Sequence, residues 1–557
     1  MRNLIFFLHL VLHWTCRALG ENASVILNLS PTIDGQQVLA AKSTGFDGLN
    51  DEKQAYFYRS TIKRELQKRL SPGSDVHLEG EDNFAVVNAR YTDYKRPQYI
   101  AVVQVAEEKD VVETVSLQPF FLSRELPGLN FYQVNYARAR GIPFAARAGG
   151  HSLTTSLRRI KNGIGIDMRG LNKIEYDEAK SQVTVGGGIT TGEFANATHS
   201  KGREVTVGSC PCTGVLGISL GAGIGRLQGK YGYLNDNMVS ARLVLANGTV
   251  IEVSEHSHKD LFWGIRGAGH NFGIVLQATY QVYPQLNDGK HFVVDFEFDL
   301  IKLEDVFDAV NSISESMPKE VAVFVIGRRR GANGKPTINI NVVYSGPEKD
   351  AEPFIKPFDA ISPVWKDAKI ASWDALPWAT YNGLNNILCT PTGWARYPIK
   401  NFYGANVESY DIPTMRGFFD GWREMNEKYN GEALFSVMFE SFPQQRVREI
   451  PDDSTAYPWR HGSQHFLMIE AAYKSPVDED KIDAWLSEQQ DKLIETSGYG
   501  RLQQYVNYGH GSKDPPEALY GYEPWRLEKL RGLKKEYDPE GWFNGYQPFV
   551  EDIELDA

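Results

Sequence analysis

Polar and apolar positions change rhythm along the chain, and the changes mark out its parts. Between residues 51 and 70, Tyr56, Ile62, Leu66 and Leu70 form an apolar helical face and Ser71-Pro72-Gly73 supplies the stop, so a helix is predicted there. From Tyr99 to about Tyr283, short β-branched runs alternate with glycine clusters and brief helices, the texture of a mixed α/β layer with many backbone-defined loops. Within it, Asn247-Gly248 lies between Leu243-Val244-Leu245 and Val250-Ile251 and predicts a two-residue hairpin turn, because both residues suit a positive φ. Beyond Pro284 the runs lengthen: residues 291–298, 321–326, 337–344, 434–439 and 466–473 read as strands, with helices near 305–315 and 477–496. Antiparallel strands with helices on one face make an α+β layer broad enough to roof a ligand. The aromatic, turn-rich segment 501–549 is expected to return to the first layer.

One stretch interrupts its own helix. Asp110 reads as a cap and Val111 and Thr114 begin an apolar face, but residues 116–133 bring prolines, a glycine and no helical period. Joining Thr114 to Val134 restores Val111, Thr114, Val134 and Ala137 at helical spacing, ending at Gly141. Val115-Ser116 can be encoded by a GT-initial splice donor, and Tyr132-Gln133 by a pyrimidine-rich end closing in AG. A retained intron or mispredicted gene model is expected, with a genuine surface loop as the alternative.

The 557 residues exceed what one hydrophobic core usually supports, so two cores, or one with a large added layer, are expected. A net charge of -11 leaves no basic excess for a phosphate backbone or an anionic membrane surface, which argues against nucleic acid and membrane as partners. Arg2, an apolar run from Leu4 to Cys16 and the small residues Ala18-Leu19-Gly20 resemble a secretory signal, with sequons at Asn22, Asn28, Asn196 and Asn247. If Cys16 leaves with that signal, Cys210, Cys212 and Cys389 remain, an odd number that asks for a thiol with another use. Whether Cys212 pairs with Cys389 stays open.

The chemistry concentrates in glycine loops. Arg147-Ala148-Gly149-Gly150-His151-Ser152 follows the short strand 142–146, and its two glycines let backbone N–H groups approach a pyrophosphate. Gly186-Gly187-Gly188 follows the strand 182–185, and a third region runs from Val207 through Gly208, Cys210, Cys212, Thr213, Gly214 and Gly217 to Gly225. Three such loops suggest one extended ligand of the dinucleotide kind. A Rossmann unit is rejected, because Gly221-Ala222-Gly223 lacks the third glycine at its offset. Zinc is rejected as well, since Cys210 and Cys212 are too close for a knuckle and no second pair exists, so no metal site is expected.

These residues carry a resemblance. Arg147 to Ser152, Gly208-Ser209-Cys210-Pro211, Asp236 to Ala241, Leu261 to Gly273, and Tyr505-Val506-Asn507-Tyr508 followed by Leu530 to Pro539 are similar to the berberine bridge enzyme-like family of FAD-linked oxidoreductases. The resemblance implies a two-domain α+β fold of the vanillyl-alcohol oxidase and p-cresol methylhydroxylase type, with an antiparallel-sheet substrate domain. The expected parts are a signal (1–20), an N-terminal helical extension (21–94), an FAD-binding domain (95–285), a substrate domain (286–500) and a C-terminal berberine-bridge segment (501–550). It implies FAD held covalently by His151 and by Cys210, with Cys212 as the competing thiol. It also implies cofactor contacts from Arg147, Gly149, Gly150, Ser152, Gly208, Thr213, Gly214, Gly217, Gly273, Ile274 and Asn507. Thr213 matches the family's oxygen-gate position, where a small β-branched residue favours oxidase over dehydrogenase.

The base must reach a substrate proton while a hydride leaves for the flavin. Glu470, an acid in the apolar run Phe466 to Ala471, is one candidate, since burial would raise its pKa, and it also matches a family base position. Tyr505 of the Y-x-N-Y run is the other, the rest of the stripe (Tyr508, Tyr520, Tyr522) reading as aromatic packing. The expectation is a secreted oxidase passing hydride from a small secondary-metabolite-like substrate to FAD and on to O2. The alternatives are an oligosaccharide oxidase of the same family and a flavin-binding homologue without turnover.

Overall fold

The computed structural model describes residues 25–29, 39–43, 51–115, 141–329, 334–462, 465–475, 478–511 and 513–550. The expected signal and the insert at 116–133 lie outside them. The chain divides into two compact units, residues 1–68 and 69–557. The first holds an antiparallel pair, Val25–Leu29 with Leu39–Ser43, and the helix Asp51–Gln67. The helix matches its apolar pattern, with Ile62 and Leu66 buried. The strand pair precedes the helix within the segment expected as a helical extension.

In the second unit, the first layer contains a four-stranded sheet in the order Asp75–Leu78, Tyr99–Gln104, Gly163–Asp167, Phe144–Arg147. Asp75–Leu78 pairs antiparallel with Tyr99–Gln104, so this sheet reaches back past the expected boundary at residue 95. A five-stranded antiparallel sheet adjoins it in sequence, ordered Val250–Ser254, Met238–Val244, Ile274–Gln281, Gln182–Gly186, Ile174–Asp177. Two local readings change here. Asp110 lies inside the first turn of the helix Glu108–Val115, and its carboxylate accepts N–H bonds from Glu107 (2.8 Å) and Ser71 (2.6 Å), capping from within. The hairpin at Asn247 is one residue wider than predicted: Leu245 N–H bonds Thr249 O, and only Gly248 takes a positive φ, +79°.

The second layer is a seven-stranded antiparallel sheet. Its order is Trp365–Ser372, Lys290–Asp299, Pro336–Tyr344, Val321–Arg329, Ala433–Ser441, His465–Tyr473, Ile399–Val407. Alternation sorts its side chains cleanly. Val323, Val325, Phe435, Val437, Leu467 and Ile469 enter a core closed by the helices Leu303–Glu315, Ile412–Lys428 and Glu479–Glu495. The alternate positions, Phe324, Ile326, Phe466 and Met438, face the other way and pack with Ala222, Ile224, Tyr233 and Tyr505, which joins the sheet to the first layer. The segment after residue 501 runs back along that seam, as expected.

Candidate active site

A cavity of about 960 Å³ opens between the glycine loops below and the sheet above. All the predicted site residues line it.

The floor is backbone laid against backbone. A Cβ at Gly149 would sit 2.5 Å from Cys212 O and 2.6 Å from Gly214 N, and a Cβ at Gly214 would sit 2.6 Å from Ala148 Cβ. These two glycines therefore let the His151 and Cys210 loops interlock, a packing role for Gly149 beside the pyrophosphate approach expected of it. Gly150 has φ +73° and needs glycine for that reason. The Cβ position of Gly217 is open, with nothing within 4 Å, leaving ligand space above the backbone. Beside it His270 donates through Nε2 to Gly217 O (2.9 Å), while its buried Nδ1 has no partner among the described residues. Arg147 is no free phosphate ligand: its guanidinium pairs with Asp167 (3.1 Å), which Arg169 also holds (2.6 Å).

His151 stacks on Tyr91 with centroids 4.6 Å apart, and Trp394 meets it edge-on at 5.2 Å. Burial, with Lys400 nearby, pulls its imidazole down to about 3, so the ring is neutral at physiological pH. Its Nε2 lies 3.1 Å from Cys212 Sγ. Cys212 is joined to Cys389 in a disulfide, which leaves Cys210 as the free thiol among the described residues. Of the two competing cysteines, Cys210 is the one that keeps its thiol. The His151, Cys210 and Cys212 ligand atoms cluster within 4.8 Å, but the disulfide removes one of the three as a thiolate ligand. Thr213 turns its hydroxyl away to donate to Cys210 O at 2.9 Å.

The roof carries two carboxylates, Glu440 buried and Glu470 half-buried. Glu470, on His465–Tyr473, accepts from Tyr91 Oη (3.3 Å) and from Ser436 Oγ (3.4 Å), the residue directly across the ladder. Burial raises its pKa, with Lys400 and these two donors opposing. Lys400 itself is anchored by the carbonyls of Tyr91 (2.6 Å) and Tyr397 (2.7 Å). Glu440, on Ala433–Ser441, accepts from Tyr508 Oη at 2.8 Å and from Ser209 Oγ at 3.0 Å. Burial pushes it up to about 7, with those donors pulling it back.

Glu440 and the role of Tyr508 were missed in the sequence. Glu440 continues the alternation of Leu434, Ser436 and Met438, so extending the predicted strand beyond Phe439 would have placed it on the cavity face. Tyr505, the predicted candidate, points its hydroxyl at Gly223 N–H (3.2 Å) and Asn507 Nδ2 (2.7 Å), accepting from both. Asn507 also reaches Ile218 O at 2.9 Å. Tyr520 and Tyr522 bond backbone carbonyls and serve packing, as expected.

Comparison with known proteins agrees with this picture. Residues 133–254 match the family model described as an FAD binding domain. An FAD-linked oxidoreductase of Alternaria solani, alt4, is 47% identical over 499 residues, covering 88% of this chain and 97% of its own length. Another from Neurospora crassa, srdI, is 32% identical and covers 88% of this chain and 92% of its own. Among solved structures, Physcomitrella patens BBE-like 1 superposes with TM-score 0.70 at 22% identity, over 88% of this chain and 100% of that one. The glucooligosaccharide oxidase of Acremonium strictum, with its 6-S-cysteinyl, 8α-N1-histidyl FAD, gives 0.69 at 18% identity, over 87% and 100%.

Proposed function

Since the chain belongs to the FAD-linked oxidoreductases and shares the fold of a berberine bridge enzyme-like protein, we propose that it is an oxidase whose FAD is tethered to His151 and Cys210 and whose substrate is a small molecule seated beneath Glu440 and Tyr508. The open Cβ position of Gly217 and the unpartnered Nδ1 of His270 are features a flavin would fill, so the residues present fit the cofactor. The loops at 147–152, 208–217 and 270–274 would hold it, with Asn507 on the seam. When bound, the flavin supplies the hydride acceptor.

The Tyr508–Glu440 hydrogen bond carries the proposal. Tyr508 directs its proton to Glu440, which leaves phenolic lone pairs free to take a substrate proton as the tyrosine's own proton passes to the carboxylate. That relay needs Glu440 ionised, a state reached above about pH 7. The neutral His151 is suited to attachment, with Tyr91 and Trp394 fixing its plane. Glu470, engaged by Tyr91, Ser436 and the charge of Lys400, holds Tyr91 against His151 and so acts on the tether more than on substrate. O2 is the proposed electron acceptor.

Secretory entry is part of the proposal. It is supported by the Cys212–Cys389 disulfide, which suits an oxidising compartment, and by the exposed sequons Asn196 and Asn247.

The test is to denature the expressed protein in acid, separate free flavin, and record intact mass and visible absorbance. One FAD mass retained, and lost only in the His151→Ala, Cys210→Ala double variant, supports the double tether. Peroxide release should then be screened on aromatic and allylic alcohols and on carbohydrate reducing ends. Turnover on sugars alone would favour the oligosaccharide-oxidase alternative, and flavin without turnover on any substrate would favour the non-catalytic one.

A further inference from the structure

Three sulfurs meet at the floor of the cavity. Cys210 Sγ lies 3.5 Å from Cys212 Sγ and 3.7 Å from Cys389 Sγ, while Cys212 and Cys389 are bonded. The thiol therefore touches both halves of a disulfide. We propose that Cys210, Cys212 and Cys389 form a thiol–disulfide exchange site in which Cys389 bonds to either partner, and that only the Cys212–Cys389 isomer leaves Cys210 free to carry the flavin.

The step balances without an oxidant. The three sulfur distances set Cys210 beside the disulfide, so its side chain rotates into line with the Cys212–Cys389 bond; its thiolate then attacks Cys389 Sγ, a Cys210–Cys389 bond forms, the Cys212–Cys389 bond breaks, and Cys212 leaves as a thiolate that takes up the proton Cys210 released. Chain entropy does not choose between the isomers, because they close loops of 177 and 179 residues. Nor does reach. Asn385 Nδ2 bonds Ser209 O (3.3 Å) and Pro377 O (2.7 Å), holding the Cys389 segment over the cysteine loop whichever sulfur it bonds. The isomers differ in what they present. His151 Nε2 is 3.1 Å from Cys212 Sγ, so exchange would bury the flavin's cysteinyl anchor in a disulfide and release a nucleophile beside its histidyl anchor.

Burial raises the Cys210 thiol to about 11, so the thiolate is scarce at neutral pH and exchange is slow, quickening tenfold per pH unit below that value. Isomer choice is then a step of maturation that flavin attachment at Cys210 makes permanent. Cys389 is thereby a positioning residue for the cofactor, acting through Cys212.

The proposal rests on the Cys210 tether proposed above, yet disulfide mapping reads it without reference to flavin. The full chain and its Cys212→Ser variant would be expressed with limiting riboflavin, held in a glutathione redox buffer at pH 8, trapped in acid and digested without reduction. The variant should contain the Cys210–Cys389 peptide pair and carry flavin on His151 alone. The wild type should contain both isomers, with flavin on Cys210 confined to chains holding Cys212–Cys389. Failure to find Cys210 joined to Cys389 in either protein overturns the proposal. Where Cys212→Ser does not fold, the wild-type digest decides alone. Both isomers without any flavin on Cys210 would uphold the exchange and sink the tether instead.

Discussion

Floor and roof of the cavity are built on different principles. The floor is assembled from a few short runs of chain and made by the backbone: Gly149 and Gly214 interlock two loops, and His151 and Cys210 are presented by the turns that result. The roof is made by side chains at every second position of strands far apart in sequence, with Ser436 and Glu440 on one strand and Glu470 on its neighbour. Floor changes should therefore cost the cofactor, and roof changes should cost turnover with the cofactor retained.

The largest effect tests the first half. Gly149→Ala puts a methyl group 2.5 Å from Cys212 O and 2.6 Å from Gly214 N, both backbone atoms that cannot swing aside. Holoprotein should be lost altogether, read as absence of yellow protein after purification. Gly217→Ala, placed in open space, is the contrast: the chain should fold, with weakened flavin retention. A normal flavin content in Gly149→Ala would break the claim that backbone packing builds the floor.

Next comes the roof. Tyr508→Phe deletes the phenolic oxygen and should lower kcat by about 10²–10⁴-fold, the usual worth of a positioned acid or base, with covalent flavin unchanged. In the wild type, turnover should rise with pH through about 7, because Glu440, raised by burial, is protonated below that value and cannot accept from Tyr508. Glu440→Gln should be slow and flat over the same window. Full activity in Tyr508→Phe would return the role of base to Glu470 or Tyr505.

The same contrast explains what could be read in advance. The floor was legible because each of its loops is a short local motif, and the expected His151, Cys210 and neighbouring glycines all line the cavity. The roof was legible only in outline. Five of its strands follow a hydrophobic rhythm, but Trp365–Ser372 and Ile399–Val407 do not, and these are the two edges of the sheet. Trp365–Ser372 alternates exposure and carries Lys366, Asp367 and Lys369, charges that suit an edge strand, and Ile399–Val407 buries Lys400, Asn401 and Asn406 in place of an apolar run. Glu440 was missed because the strand was ended one residue early, and Tyr508 because its partner lies 68 residues away. Cys212 was ambiguous for a similar reason, since its partner is 177 residues distant.

That disulfide ties the cysteine loop of the floor to the segment that follows the helix Asn385–Leu388 and gives an intermediate effect. Cys389→Ala should destabilise the fold by about 2–5 kcal/mol, the usual range for removing a native bridge, seen as a lower melting temperature. Kinetics should separate it from the roof variants, since Glu440 and Tyr508 keep their hydrogen bond.

The smallest effect concerns Thr213, whose hydroxyl is spent on Cys210 O and does not face the cavity as a free polar group. Thr213→Val keeps the shape and deletes one hydrogen bond, costing about 0.5–1.5 kcal/mol of stability. If the β-branched shape is what admits O2, peroxide release should change by less than about threefold, within that single-bond scale. A much larger loss, with substrate reduction of the flavin unaltered, would mean that the hydroxyl itself takes part in reoxidation. The floor would then contribute a side chain to the chemistry, and the division between a backbone-built floor and a side-chain-built roof would no longer hold.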